Sequence, residues 1–536
     1  MSDHVAARRA AIDFQPQRSR LEMASPMAPK DAPALRFGRA SRLIFALIVA
    51  LFAAVRFWKL AAYGLFSDEV FSAETVHRTW PQLQRAVIND VVHPPLFYYL
   101  LKAWIAVGDA LLWMKLLPVL FALLAIVPFV LLCRELKLRP LTTNLALFLM
   151  AVNEYLVNYA QELRMYSLLL LLVMTSMWLF ARLMNARHRA FALQLALLAT
   201  NLILVYAHYY GWLIVAAESL FVIIKRRDLL ASFSLSVAAL VAGFLPWMFA
   251  VAEVAYDKGG LGPNLKWNTR PTATDFFQHY VTLNGPVYTS WRAYALVFSS
   301  AIFFTPLLLW SWRQLKKAKY GVGCADARGG KSNTEANRVN DSDSNVLLWL
   351  ALLALLPTGI AFAASYLLAQ SVWGSRFLIV VAPAYLLLVA IAVTTLQPRR
   401  LRHFTIALIA LWAALSGALQ LTHRDKINWQ PLVERMAQQE IGQGPVPVYT
   451  RQGVTGTTIQ YYLDQASEAR LRVQYIDDYS RIDDTQFWIA FIRYRHDTGP
   501  SPTETLAARG DTLGEAIEAD APGHKVIFIP VRHGSR

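Results

Sequence analysis

The feature that most restricts this chain is a succession of apolar runs long enough to cross the hydrocarbon core of a bilayer. They begin near Leu43, Leu116, Thr142, Tyr166, Ala190, Trp212, Leu229, Tyr294, Val346, Phe377 and Phe404, which predicts about eleven transmembrane helices. Hydrophobic residues fill 56% of the 536 positions and charged ones only 16%, more apolar surface than a soluble domain of this size can hide. A net charge of +16 would suggest nucleic acid if it were spread over a soluble fold. Here Lys and Arg gather between the apolar runs, which is a topology signal and not a nucleic-acid surface.

Alternate connections hold Arg134, Lys137 and Arg139; Arg182, Arg187 and Arg189; Lys225, Arg226 and Arg227; Arg313, Lys316, Lys317 and Lys319; and Arg399, Arg400 and Arg402. By the positive-inside rule these face the cytoplasm, together with a basic tail, residues 1–41, that lacks an apolar stretch and reads as disordered. An odd number of crossings places the carboxyl terminus outside, in the periplasm if the chain sits in a bacterial inner membrane. The expected organisation is therefore a polytopic α-helical membrane domain over 42–421, followed by a small soluble α/β domain over 422–536. Outer loops are expected at 59–114 and 253–293, and a flexible cytoplasmic insertion at 316–345. The apolar stretch 94–108 is too short to span and is expected to lie as a helix in the outer interface. In the tail domain a helix is expected over 431–441 and strands over 446–449, 471–476, 487–494 and 526–531. Cys133 and Cys324 are the two cysteines, both on the cytoplasmic side, so neither a disulfide framework nor a thiolate metal site follows.

Four clusters at the outer ends of the runs can carry chemistry. Asp68 and Glu69 follow the first helix among apolar neighbours; partial desolvation would raise their basicity and suit general-base work, and capping of the next helix is the alternative. His93 opens the interfacial helix with Pro94 and Pro95, a sequence that by itself favours a structural turn. Tyr159, Gln161, Glu162, Arg164 and Tyr166 occupy a very short connection where apolar residues are expected; ionisable groups there are costly enough to favour function over a local Glu162–Arg164 pair. Arg376 is a lone cation at the mouth of the tenth run, suited to bidentate phosphate binding or to snorkelling towards headgroups. His208, Tyr209 and Tyr210 favour interfacial anchoring.

Taken together, Ser67-Asp68-Glu69, His93-Pro94-Pro95-Leu96-Phe97-Tyr98-Tyr99, Tyr159 to Tyr166, and Arg376-Phe377 followed by Pro383 resemble the GT-C superfamily of polyprenyl-phosphate-sugar glycosyltransferases. The closer likeness is to the bacterial relatives of protein O-mannosyltransferases and of the aminoarabinose transferase acting on lipid A. The resemblance implies catalytic carboxylates at Asp68, Glu69 and Glu162, with His93, Tyr98, Tyr159, Gln161, Arg164, Tyr166 and Arg376 binding substrate. It implies a polyprenyl-phosphate sugar donor and a lipid, glycan or protein acceptor outside the cytoplasm. A dedicated metal site is not expected, although Asp68, His93 and Glu162 are the residues that would serve a divalent cation. The competing readings are a transporter or flippase of a lipid-linked glycan, an oligosaccharide polymerase or ligase, and a non-catalytic scaffold.

Overall fold

The structure is a computed structural model and describes residues 38–186, 190–257, 269–285, 292–321, 332–422, 427–439, 444–494, 501–521 and 524–533. Most of the basic tail, Arg187, Arg189, Cys324, the middle of the 253–293 loop and part of the 316–345 insertion lie outside those residues.

The helices of the first part are α1 (Arg39–Phe57), α2 (Ser67–His77), α3 (Trp80–Asp90), α4 (Leu96–Ile105), α5 (Leu111–Leu124), α6 (Ile126–Glu135), α7 (Pro140–Val152) and α8 (Glu154–Ala160). They are followed by α9 (Tyr166–Asn185), α10 (Phe191–Ala207), α11 (Gly211–Lys225), α12 (Leu230–Asp257), α13 (Ala273–Leu283), α14 (Arg292–Gly321), α15 (Ser332–Leu367), α16 (Ala382–Thr394) and α17 (Arg399–Thr422). Among the described residues, eight helical stretches are long and apolar enough to cross a membrane. The chain is thus a multi-pass membrane protein, but the expectation of about eleven full crossings is not met by length. The shortfall lies in α7, α10 and α11, of 13, 17 and 15 residues. For α7 the reason is local: Asn153 adopts an extended backbone and its side chain accepts from the Leu156 amide, which stops one helix and starts α8. The stretch around 94–108 forms α4, only 10 residues long.

Burial runs opposite to that of a soluble protein. Leu43, Leu47, Phe191, Phe249, Leu308, Phe404 and Leu411 are exposed on the bundle surface, whereas Arg56, Ser176, Asn201 and Glu218 are buried within it. Interhelical contacts fix two ends of the bundle. At one, Asn144 bonds Ser41, Asn185 bonds Glu135 and Arg226 bonds the Met184 carbonyl. At the other, Arg56 donates to the Met150 and Ala151 carbonyls and Asn153 to the Leu283 carbonyl. The helices α2, α3 and α4 cover this second end.

The soluble part contains α18 (Trp429–Gln438), α19 (Gly453–Gln465) and α20 (Pro502–Ala508), with strands β1 (Val446–Thr450), β2 (Leu471–Tyr475), β3 (Gln486–Tyr494), β4 (Thr512–Leu513), β5 (Ile517–Ala521) and β6 (His524–Arg532). The sheet order is β2-β1-β3-β6-β4, with β5 also on β6; β1 pairs parallel with β2 and β3, and the β6 pairings are antiparallel. Alternation along β3 sends Trp488 and Ala490 to the face under α18 and α19, and Phe487, Ile489 and Phe491 to the face that α20 covers. This domain rests on the second end of the bundle, where the Tyr462 hydroxyl donates to the Leu65 carbonyl.

Candidate active site

The site begins where α1 ends. Residues 58–66 form an irregular connection, and α2 then starts with Glu69 at its third position, where the carboxylate accepts from the Phe66 amide at 2.9 Å. The other Glu69 oxygen accepts from the Leu163 amide at 2.7 Å, and Lys115 stands 3.8 Å away. Buried at 3% exposure with both oxygens engaged, Glu69 ties the loop after α1 to the loop before α9. The capping alternative describes Glu69, and its geometry is that of a positioning residue.

Asp68, one residue earlier, points the other way and pairs with Arg376, 308 positions along the chain. Arg164 approaches the same point from a third segment. Its Nη1 lies 3.2 Å from the Asp68 carbonyl, 3.1 Å from Ser72 Oγ and 3.2 Å from the Tyr98 hydroxyl, and its Nη2 lies 3.1 Å from His93 Nε2. His93 Nδ1 is 3.0 Å from Asp90, so the pair fits a neutral imidazole that donates to Asp90 and accepts from Arg164. Burial and the Arg164 charge both lower the His93 pKa, which agrees with that form.

Asp68 corrects the sequence argument. Burial does push its carboxyl up, as expected, but Arg376, Arg164 and His93 outweigh it and hold the group at about 2. The resting carboxylate is ionised and weakly basic, because partners distant in sequence set its electrostatics.

Aromatic side chains frame the charges. Tyr159 packs edge-on against Tyr166, with ring centres 4.7 Å apart, and Tyr155 donates to the Ser375 carbonyl at 2.6 Å and anchors the strand of chain that carries Arg376. Gln161 donates to the Arg56 and Trp58 carbonyls at 2.9 and 3.0 Å and so caps α1. His208 and Tyr210, assigned to the interface by sequence, are buried instead: the His208 ring lies tilted against Phe377, with ring centres 4.8 Å apart, and stands 5.8 Å from His93. Asp90, which sequence offered only with His93 as a weak metal-ligand pair, serves here as the acceptor for that imidazole. Lys115 and Ser72 also belong to the site and were not singled out by sequence: Lys115 is a single cation within an apolar run and Ser72 a small polar residue inside a helix.

Beside the charge cluster opens a cleft of about 290 Å³. Its walls include Glu154, Asn158, Tyr159, Gln161, Glu162, His279 and Ser375, with Gly64 and Phe66 from the first loop and Ile427 from the connection to the sheet domain. Glu162, Tyr159 and Gln161 thus face the cleft. Asp68, His93, Tyr98, Arg164, Tyr166 and Arg376 form the polar cluster adjoining it, next to the wall residues Phe66 and Ser375.

No protein-family model matches the sequence, and neither does any curated protein. Solved structures do resemble it. The crystal structure of ArnT from Cupriavidus metallidurans bound to undecaprenyl phosphate superposes with a TM-score of 0.54 at 11% identity, covering 92% of this chain and 98% of that one. The apo structure of the same protein gives 0.54 at 13% identity, covering 91% and 98%. The chain has the GT-C fold.

Asp68 and His93, two of the residues expected to serve a divalent cation, do not fit one. Asp68 faces two guanidinium groups and His93 is held between Asp90 and Arg164. No group of three or more His, Cys, Asp or Glu side chains converges among the described residues. The cations facing Asp68 are Arg164 and Arg376.

Proposed function

We propose that this protein is a membrane glycosyltransferase that moves a sugar from a polyprenyl-phosphate donor to a lipid, glycan or protein acceptor on the outer side of a bacterial inner membrane. The observation that carries the proposal is the Asp68–Arg376 pair, backed by Arg164 and set beside a polar cleft at the end of an apolar bundle. The likeness to a structure bound to undecaprenyl phosphate supports the choice of donor. The basic connections at the opposite end support the orientation.

In this reading the donor phosphate takes up Arg376 and Arg164, whose forked donors match its oxygens. Asp68 loses its counter-ion in the exchange and becomes a stronger base as the donor seats. The acceptor oxygen then attacks the anomeric carbon while its proton passes to Asp68; the bond from that carbon to the phosphate oxygen breaks, and its electron pair stays on the polyprenyl phosphate. Glu162 and Tyr159 orient the sugar or the acceptor in the cleft, and the prenyl chain lies along the lipid-facing helices.

The test is transfer by the purified protein in nanodiscs supplied with polyprenyl-phosphate hexose and pentose donors and with extracted cell-surface acceptors. A product heavier by one sugar, formed with release of free polyprenyl phosphate and lost in Asp68→Ala, is expected. Movement of the intact donor across the bilayer without any transfer would establish the flippase reading instead.

A further inference from the structure

After a turn that closes α1, residues 63–66 lie outside any helix or strand, yet they must present Asp68 to within contact of Arg376. Their backbone groups are taken by side chains from three parts of the molecule. Lys115 donates to the Tyr63 and Gly64 carbonyls at 3.1 and 3.3 Å, and Glu69 accepts from the Phe66 amide. The remaining two partners come from the sheet domain and its connection: Asn428 Oδ1 accepts from the Gly64 amide at 3.4 Å, and the Tyr462 hydroxyl donates to the Leu65 carbonyl at 2.9 Å. Tyr462 is itself part of the sheet-domain core. The fit is close, since a Cβ on Gly64 would stand 2.3 Å from the Tyr462 hydroxyl. Ile427, next to Asn428, completes the cleft wall.

We infer that Tyr462 and Asn428 are positioning residues for the transfer reaction, and that the soluble domain is a working part of the active site: it holds the 63–66 segment so that Asp68 is presented to Arg376 and the donor. The inference rests on the function proposed above. A buried carbonyl and amide of an irregular loop need partners in any case, but here those partners sit on a separate domain, at least 360 residues later in the chain. Loosening that contact leaves the donor-binding arginines in place and misplaces only the base. The predicted signature is therefore a loss of turnover with little change in donor affinity.

The experiment compares Tyr462→Phe, Asn428→Ala and Gly64→Ala with the full-length wild type in nanodiscs, using Tyr461→Phe as the neighbouring control. Tyr461 packs beside Tyr462 at the same domain contact, but its hydroxyl accepts from Gln465 of its own helix. Hydrogen exchange of the segment is expected to speed up about ten-fold in Tyr462→Phe and Asn428→Ala. Turnover is expected to fall about ten-fold in all three, with donor KM within two-fold or so of wild type. Gly64→Ala reaches the same end by displacing the hydroxyl from the loop side, so the inference does not hang on one variant folding. Wild-type exchange or wild-type turnover in the three variants, beside an inactive Asp68→Ala, overturns this inference alone. Full turnover in Asp68→Ala overturns the proposed role of Asp68 itself, and with it any need for positioning.

Discussion

Replacing Arg376 by Gln removes the closest counter-ion of Asp68 while leaving the burial of that carboxylate unchanged. In the wild type the group is held at about 2 in place of its ordinary 3.8. That net difference, set by burial against Arg376, Arg164 and His93 together, corresponds to roughly 2 kcal/mol; Arg376 is the largest of the lowering causes, and with the 31% exposure of the Asp68 side chain its share is taken as about 1–2 kcal/mol. A lowered carboxyl pKa stabilises the fold above the unfolded-state value of about 3.9, and this stabilisation is lost as pH falls towards about 2. The melting midpoint of Arg376→Gln in detergent is therefore expected below wild type by about 1–2 °C near pH 7, with the gap closing as the pH is lowered towards 3. Loss of a charge-assisted contact to phosphate should also weaken undecaprenyl phosphate binding about 10- to 100-fold, measured by titration in nanodiscs. A gap that does not change with pH, together with unchanged affinity, would refute the electrostatic account of the site.

Three further outcomes follow from the same geometry. The wild-type kcat/KM is expected to show no acid limb above about pH 4, because Asp68 is already ionised in the free enzyme, while kcat shows an acid limb at higher pH once phosphate has taken Arg376; pH profiles with saturating and limiting donor separate the two. Arg56 is buried and donates to the Phe52, Ala151 and Met150 carbonyls, so Arg56→Ala should cost about 2–4 kcal/mol of stability and lower the thermal midpoint without changing donor specificity. In the α9–α10–α11 ring, Ser176 Oγ lies 2.7 Å from both Asn201 Oδ1 and Glu218 Oε1, and Asn201 donates to the other Glu218 oxygen. The ring closes when Glu218 carries a proton, so Glu218→Gln should stay within about 1 kcal/mol of wild type and remove a protonated-carboxyl infrared band.

Much of this architecture is written in local sequence, and the exceptions have physical causes. The apolar runs appear as helices in the expected places, since bilayer burial leaves few alternatives for a backbone. Asn153 shortened one of them through a capping bond that its composition does not announce. In the sheet domain the strands near 446–449, 471–476, 487–494 and 526–531 were legible from β-branched and aromatic residues, and the helix near 431–441 is found at Trp429–Gln438. The edge strands β4 and β5 were not, being two residues long in one case and Glu518- and Asp520-bearing in the other. At the site, Asp68, Arg164 and Arg376 stood out because ionisable side chains at the ends of apolar runs are rare, whereas His93 read locally as a structural turn and gained a role only through the resemblance. Whether Asp68 or Glu69 faced the chemistry was not legible, because a capping carboxylate and a free one differ only in which backbone amides come near. The lowered pKa of Asp68 and the burial of His208 depend on partners hundreds of residues away, which no local pattern encodes.

The central claim is that Asp68 and Arg376 together carry out sugar transfer on one class of cell-surface molecule. Mass spectrometry of surface lipids, glycans and glycoproteins from cells expressing the wild type, Asp68→Asn or no protein tests it most directly. The account predicts that one class loses a single hexose or pentose in both the deletion and Asp68→Asn, with the variant present in the membrane at wild-type level. A complete set of modified molecules in the Asp68→Asn cells would contradict it.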